Sequence, residues 1–351
     1  ACSPYQGSEA SVGWGFILEL SKSHNLTIFV EEEKFRDDIE NFLSKNKGVK
    51  KNLNFIFVRK KRNRRLRKLW PPSYFKYLKE WHKEVYKLAK KIHKLEQFDL
   101  IHQLTMVGFR EPGYLWKLNA PYVWGPVGGM GYFPLSFIFK IGFKGFIYYL
   151  AYNFFNFIHM KFLIRPRLAA KKAGKALITA NTENQIYFES HFNCHSSIIA
   201  EVGTPNLNQF TSSNLDSASE KIKLVWSGQH LPRKALNIAL RAVSLLPKRL
   251  NWELHILGEG VLTKKWINYA KSLRIEKRCK FHGMVSRHEA LNIMSNTNIS
   301  LITSLRDLNS SVTIESISLG LPVICIDHCG FSDVIDETCG VKVPLTNFNK
   351  V

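Results

Sequence analysis

The chain has 351 residues, more than one hydrophobic core usually organises, so two domains are expected. Hydrophobic residues at 45% and charged residues at 22% exclude a mostly disordered chain. Lys and Arg (50) outnumber Asp and Glu (28), for a formal charge of +22. That field favours an anionic partner: nucleic acid, an anionic membrane surface or a phosphorylated substrate.

Apolar strand-like runs alternate with helical stretches along the chain, the pattern of parallel α/β sheets. The first set of strands is expected at Leu26–Val30, Asn54–Val58, Leu100–Gln103, Tyr122–Trp124 and Ala176–Thr179. The second is expected at Lys223–Ser227, Glu253–Leu257, Cys279–Phe281, Ile299–Thr303 and Val323–Ile326. Between them, Asn206–Ser219 is rich in Ser, Asn and Thr and reads as a linker. The expected organisation is an N-terminal domain over 1–205, a linker over 206–221 and a C-terminal domain over 222–351, both domains doubly wound. The chain opens at Ala1-Cys2-Ser3-Pro4 and stops at Val351, and is read as trimmed at both ends, so the lack of a leader carries no weight.

Two stretches of the first domain stand apart. Residues 59–68 hold eight Lys or Arg, and a helix is expected from Tyr74 to Leu95, with Leu78, Trp81, Val85, Leu88, Ile92 and Leu95 on one face. That helix is either core-packed with a solvated basic face or a surface for anionic lipid. Phe137–Ile164 is crowded with Phe, Tyr and Ile but is too short and too polar to span a membrane. It is either an interfacial segment or buried inside the first domain. The six cysteines show neither a C-x-x-C pair nor zinc-ligand spacing, so a reducing compartment and no metal are expected.

The segment from Ser304 to Ile324 carries the most chemistry. Asp307 falls in the loop leaving the carboxyl end of a strand, where open α/β sheets bind ligands. Asn309, Ser310 and Ser311 offer cap chemistry for a short helix whose free amides would favour an anion. Glu315, one turn in, could accept hydrogen bonds from a ribose diol. Gly320 stops the helix, and Pro322 prevents its continuation. Upstream, Gly228 precedes Arg233 and Lys234, cations that a diphosphate needs.

In its order of motifs the chain resembles the retaining glycosyltransferases of family 4, or glycosyl transferases group 1. Asp307-x7-Glu315 followed by Gly320-Leu-Pro-Val resembles the family's Glu-x7-Glu signature, with Asp in place of the first Glu. The stretch Leu224–Ala235 resembles its strand followed by Gly-Arg-x-x-x-x-Lys-Gly, with Gln229 in place of the Arg. Further similarity runs through Gly258-Glu259-Gly260 and Phe281-His282-Gly283, through Gly7-Ser8-Glu9, and through Asp99-Leu-Ile-His102. The resemblance implies the GT-B fold, two Rossmann-like domains facing across a cleft. It implies Asp307 beside the donor sugar, with Lys234 and His102 as the other catalytic groups. The donor would be bound by Gly7, Gly228, Arg233, Lys234, Gly258, Asn309, Ser310, Ser311 and Glu315.

The expected activity is transfer of a sugar, with retention, from a nucleotide-diphosphate sugar to a glycan or lipid-linked acceptor in cell-envelope or exopolysaccharide synthesis. No Asp-x-Asp motif is present to hold a bridging ion, so cationic side chains are expected to replace a metal and no cofactor is expected. The expected setting is the cytoplasm, peripheral at the inner face of a membrane, with no nucleic acid as partner. Three rivals stay open: a nucleic-acid binder, a transferase-like subunit without catalysis, and a sugar-nucleotide epimerase.

Overall fold

Alternating side chains along the C-terminal strands face opposite ways, and the chain wraps helices on both sides to cover them. A computed structural model describes residues 1–7, 9–70, 73–203 and 221–346. The expected linker 206–221 lies outside the described residues apart from Lys221, and so does Ser8. The chain divides into two units: unit 1 is Ala1–Met130 with Ile158–Glu201, and unit 2 is Gly131–Phe157 with Val202–Val351.

Unit 1 contains β1 (Leu26–Glu31), β2 (Leu53–Val58), β3 (Ile101–Gln103), β4 (Tyr122–Val127), β5 (Leu177–Thr179) and β6 (Ser197–Ile198). β1 and β2 pair in parallel, and β3-β4-β5-β6 form a second parallel sheet. Trp14, Ile17, Val30, Phe35, Ile39 and Leu53 fill the core around β1 and β2. The basic helix runs from Ser73 to Leu95 and is core-packed through Leu78, His82, Val85 and Ala89. Leu78 and Val85 of the expected stripe thus face the core, while His82 and Ala89 are buried in place of Trp81 and Leu88, and Leu88 and Leu95 are exposed. His82 and not Trp81 takes the core position because the buried Glu111 carboxylate lies 3.3 Å from its ring nitrogen.

Unit 2 contains β7 (Ile222–Ser227), β8 (Trp252–Leu257), β9 (Cys279–Gly283), β10 (Ile299–Ile302), β11 (Val323–Asp327) and β12 (Gly340–Pro344). All pair in parallel, in the order β9-β8-β7-β10-β11-β12. Counted from β7, this is the 3-2-1-4-5-6 order of a doubly wound Rossmann sheet. Leu224, Trp226, Leu254 and Ile256 pack with Leu236, Leu240 and Trp266 on one face. Val225 and Leu257, one residue out of phase, pack with Leu291 and Met294 on the other. The period of two along each strand thus produces the two-sided core.

The aromatic stretch differs from expectation. Leu135–Lys140 forms a 3-10 turn and Phe143–Phe162 a helix, and Gly131–Phe157 belongs to unit 2, not to the first domain. Phe133, Phe137, Ile138 and Tyr149 pack against Ala235, Ile238, Leu305 and Ile326, which explains the assignment. A boundary at 205 therefore misses an excursion of the chain into unit 2.

Glu253, near the start of β8, is buried yet ionised. Its carboxylate takes Lys221 at 2.6 Å, Lys280 at 2.9 Å and His255 at 2.9 Å, tying β8 to both neighbouring strands. Burial alone would raise its pKa, but hydrogen bonds from Lys221, His255 and Lys280 outweigh it and hold the group at about 2. A depressed folded pKa gives stability that is complete above 4.5 and is lost as the pH falls through about 2. Glu253→Gln is expected to lower the thermal midpoint at neutral pH and to flatten the acid limb of stability over that window; an unaltered limb in pH-scanned unfolding contradicts this role.

Candidate functional site

The site is built where the strand order of unit 2 reverses, between β7 and β10. Neighbouring strands there send their carboxyl-end loops apart and leave a crevice. The loop after β7 turns at Gly228 and passes through Pro232–Lys234; the loop after β10 runs from Thr303 to Ser310. Three hydrogen bonds join the two loops. The Trp226 indole donates to Thr303 Oγ1 (3.0 Å), Thr303 Oγ1 donates to the Lys234 carbonyl (3.0 Å), and the Leu305 amide donates to the Arg233 carbonyl (2.8 Å).

This framework brings three of the expected residues into one cluster. Lys234 Nζ lies 2.5 Å from Asp307 Oδ2, and Arg233 lies 3.3 Å from Asp307 Oδ1. Arg233 also donates to the Arg306 carbonyl at 3.3 Å. A cleft of roughly 350 Å³ opens beside them, lined by Lys144, Tyr148, Tyr149, Leu231, Arg233 and Arg306 among others. Arg306 lies 3.8 Å over the Tyr152 ring and bonds its hydroxyl. Arg233 and Lys234 thus share one carboxylate, and Arg306 adds a further cation to the cleft that Arg233 lines, an excess that suits a multiply charged anion.

Glycines set the floor. A Cβ at Gly258, whose φ is +106°, would stand 2.2 Å from the Gly228 carbonyl oxygen. One at Gly260 would stand 2.7 Å from the His230 carbonyl oxygen. The turn after β8 therefore lies directly on the turn after β7, so Gly228 and Gly258 have a structural task whatever they bind.

The helix Ser311–Ser318 begins beyond the Asp307 loop, with Ser310 at its cap position. The Ser310 hydroxyl makes no cap hydrogen bond, contrary to the expected cap chemistry; its carbonyl takes the Thr313 amide instead. Glu315, on the same helix, is buried, and Arg287 reaches its Oε1 through Nε and a terminal nitrogen, each at 3.0 Å. Burial raises its carboxyl pKa, and Arg287 opposes that rise.

Sequence reading missed Arg306, Lys144, Arg287 and the support beneath Asp307. The Asp307 amide donates to Cys329 Sγ at 3.2 Å, and the Gly330 amide to the Leu308 carbonyl at 2.7 Å. A Cβ on Gly330 would stand 1.8 Å from the Asn309 amide oxygen and 2.3 Å from the Leu308 oxygen. The loop after β11 thus seats Leu308 and Asn309, a relation that no local pattern announces.

His102 and Gly7 belong to unit 1 and are described there. His102 lies on β3, and its Nε2–H donates to the Gly125 carbonyl at 2.7 Å, which leaves Nδ1 as the acceptor. Burial lowers its pKa, and the Gly125 bond opposes this. Gly7 is exposed, with open space where a Cβ would lie. Glu9, two residues on, accepts from the Val107 amide at 2.9 Å. Among the described residues, no group of three or more His, Cys, Asp or Glu could hold a metal ion.

Residues 208–344 match the family model described as Glycosyl transferases group 1. No curated protein sequence matches the chain. Among solved structures, the lipopolysaccharide outer core galactosyltransferase WaaB in its apo form shares 13% identity, with a TM-score of 0.63 over 99% of this chain and 85% of that one. Anabaena Alr3699/HepE in complex with UDP shares 13%, with a TM-score of 0.61 over 98% and 85%. A glycosyltransferase from Rickettsia africae ESF-5 shares 13%, with a TM-score of 0.63 over 99% and 84%. The fold is that of GT-B glycosyltransferases, and unit 2 carries a domain of the group 1 type. The chain is a glycosyltransferase.

Gly258→Ala combines a strained φ with a backbone collision and is expected to cost about 2–3 kcal/mol of stability. The shift in urea midpoint measures it, and a midpoint within error of the parent would show that the two turns do not need their close approach.

Proposed function

We propose that the chain is a retaining glycosyltransferase of family 4 type that moves a sugar from a nucleotide-diphosphate sugar to a glycan or lipid-linked acceptor in cell-envelope or exopolysaccharide synthesis. The observation that carries this reading is the pairing of Arg233 and Lys234 with the one carboxylate of Asp307, beside a cleft that Arg306 also lines, at the strand-order reversal of a Rossmann sheet. A diphosphate supplies the missing negative charge. Structural neighbours were solved with UDP or UDP-glucose bound, in keeping with a nucleotide-sugar donor.

The bond between the anomeric carbon and the phosphate oxygen breaks with its electron pair passing to the diphosphate. Lys234 and Arg233 stabilise that charge, assisted by the amides at Asn309, Ser310 and Ser311. Asp307 faces the sugar and holds both cations in place. The acceptor hydroxyl attacks the oxocarbenium-like carbon on the same face, and its proton passes to the departing phosphate oxygen. Glu315 accepts from the ribose diol with the oxygen that Arg287 does not engage. Gly228 and Gly258 line the nucleotide side, Gly7 lets a phosphate approach the backbone, and the lone pair on His102 Nδ1 accepts from a donor hydroxyl. Cations replace a metal in this scheme, no cofactor takes part, and nucleic acid is not a partner. The setting is cytoplasmic, with an anionic membrane surface as the remaining partner.

Incubation with UDP-, GDP- and ADP-sugars, read as release of free nucleotide, is expected to single out one base, which also raises the thermal midpoint. Lys234→Ala and Glu315→Ala should each slow release by roughly 100-fold or more while the protein stays folded. Near-parental rates for both would remove the site assignment, and salt-sensitive oligonucleotide binding indifferent to nucleotide sugar would favour the nucleic-acid rival. EDTA is expected to leave the rate unchanged; loss of turnover restored by added divalent metal would overturn the cationic scheme.

A further inference from the structure

The helix Phe143–Phe162 is built inside out. Over its unit 2 portion, Phe143, Ile147, Leu150, Phe154 and Phe157 recur at steps of four and three and so form one stripe. That stripe points to solvent: Phe143 is 77% exposed, Phe154 60% and Ile147 51%. The polar residues point inward. Asn153 exchanges two 2.9 Å hydrogen bonds with the Phe133 backbone, and the fully buried Asn156 donates to the Gly131 carbonyl at 3.2 Å. Tyr152 donates to the same carbonyl at 3.3 Å. These bonds fix the rotation of the helix, so the apolar stripe cannot turn inward without leaving buried polar groups unpaired. Leu135 and Phe139, 63% and 75% exposed on the preceding turn, add to the apolar surface of this segment.

Charge selects what covers the stripe. From Pro112 to Thr182 the sequence contains no Asp and no Glu, while Lys144 and Lys161 sit near the two ends of the helix and Arg165, Arg167, Lys171 and Lys172 follow it. Both helix lysines are exposed. Long basic side chains at the ends of an apolar face can reach head groups while their stems lie along hydrocarbon. No helix among the described residues is long and apolar enough to cross a membrane.

We infer that the face formed by Phe143, Ile147, Leu150, Phe154 and Phe157 embeds in the interfacial layer of an anionic lipid bilayer, with Lys161, in line with that face, on the head groups. The helix lies in the membrane plane, its rings reaching about 5–10 Å below the head groups. This deepens the membrane element of the proposed function by assigning it a surface, and it needs nothing from the donor chemistry. The strongly basic helix Ser73–Leu95, the other candidate, buries Leu78, Val85 and Ala89, and its exposed apolar residues, Phe75, Leu88 and Leu95, are scattered among lysines.

The full chain, cosedimented with phosphatidylcholine vesicles with and without phosphatidylglycerol, tests the assignment. Binding is expected to be at least about tenfold stronger with phosphatidylglycerol and to weaken with salt. Ile147→Glu/Phe154→Glu should reduce it by at least about tenfold, and the milder Phe154→Ala/Phe157→Ala should lower it in part. Both variants should keep nucleotide-induced thermal stabilisation, which separates failure of this inference from failure of the donor site. Equal vesicle binding by parent and variants would overturn the inference, as would a parent that ignores vesicles. A soluble dimer abolished by the same substitutions, without lipid affinity, would assign the face to a second copy instead.

Discussion

The Asp307 carboxylate lies between the Lys234 ammonium and the Arg233 guanidinium, and strands β7 and β10 fix the span between them. Opposite charges 4 Å apart attract by about 4 kcal/mol at an effective dielectric near 20. Removing one partner from a half-buried cluster therefore leaves an uncompensated charge, not a neutral gap. The carboxylate neutralises one of the surrounding cations and leaves the rest of their field directed into the cleft. Because hydrogen bonds from Trp226 to Thr303, from Thr303 to the Lys234 carbonyl and from Leu305 to the Arg233 carbonyl tie these segments together, the cations need little reorganisation to meet an anion.

Rigidity of the loops comes from the strands below. Trp226 serves twice: its ring is sealed in the core with Trp266, and its indole nitrogen reaches the first residue beyond β10. Glu253 ties β8 laterally to Lys221 just before β7 and to Lys280 on β9, with His255 of its own strand as a third partner. Ala235, where the resembled family has Gly, takes φ +48° with its methyl buried against the aromatic segment. The left-handed conformation costs an L-residue about 1–2 kcal/mol, and burying a methyl group returns about 0.8 kcal/mol, so burial offsets roughly half of the cost.

The legible part of this chain was local. β7, β10 and β11 fell within about a residue of their observed bounds, because β-branched runs ending in Gly, Asp or Pro punctuate them clearly. The positive φ of Gly320 matches the helix stop expected there. Partners distant in sequence left no such trace. Cys329 and Gly330 seat the Asp307 loop from the end of another strand, and Arg306 is an ordinary arginine until Tyr152 is placed beside it. β6, two residues long, carries no period to detect. His82 entered the core because Glu111 was there to meet it, which hydrophobic periodicity cannot report.

The stretch Gly131–Phe157 shows why composition alone misplaces such a segment. A helix rich in Phe reads as core, and apolar periodicity says which residues share a face but not which way the face looks. Direction is set by the less numerous groups: Asn153 and Asn156 must pair with backbone at Gly131 and Phe133, and those bonds exist only on the inner side. The same helix carries Lys144, Tyr148 and Tyr149 to the cleft beside Arg233 and Arg306. The face inferred to meet lipid and the cleft proposed for the donor anion are therefore parts of one element, separated by rotation about a single helix axis. For an acceptor anchored in that lipid, binding becomes a search in two dimensions near the site instead of three in solution. Under that inference the gain in effective concentration would offset weak contacts to the acceptor itself, and would give a physical reason for exposing Phe154 where a solvated helix would place a charge.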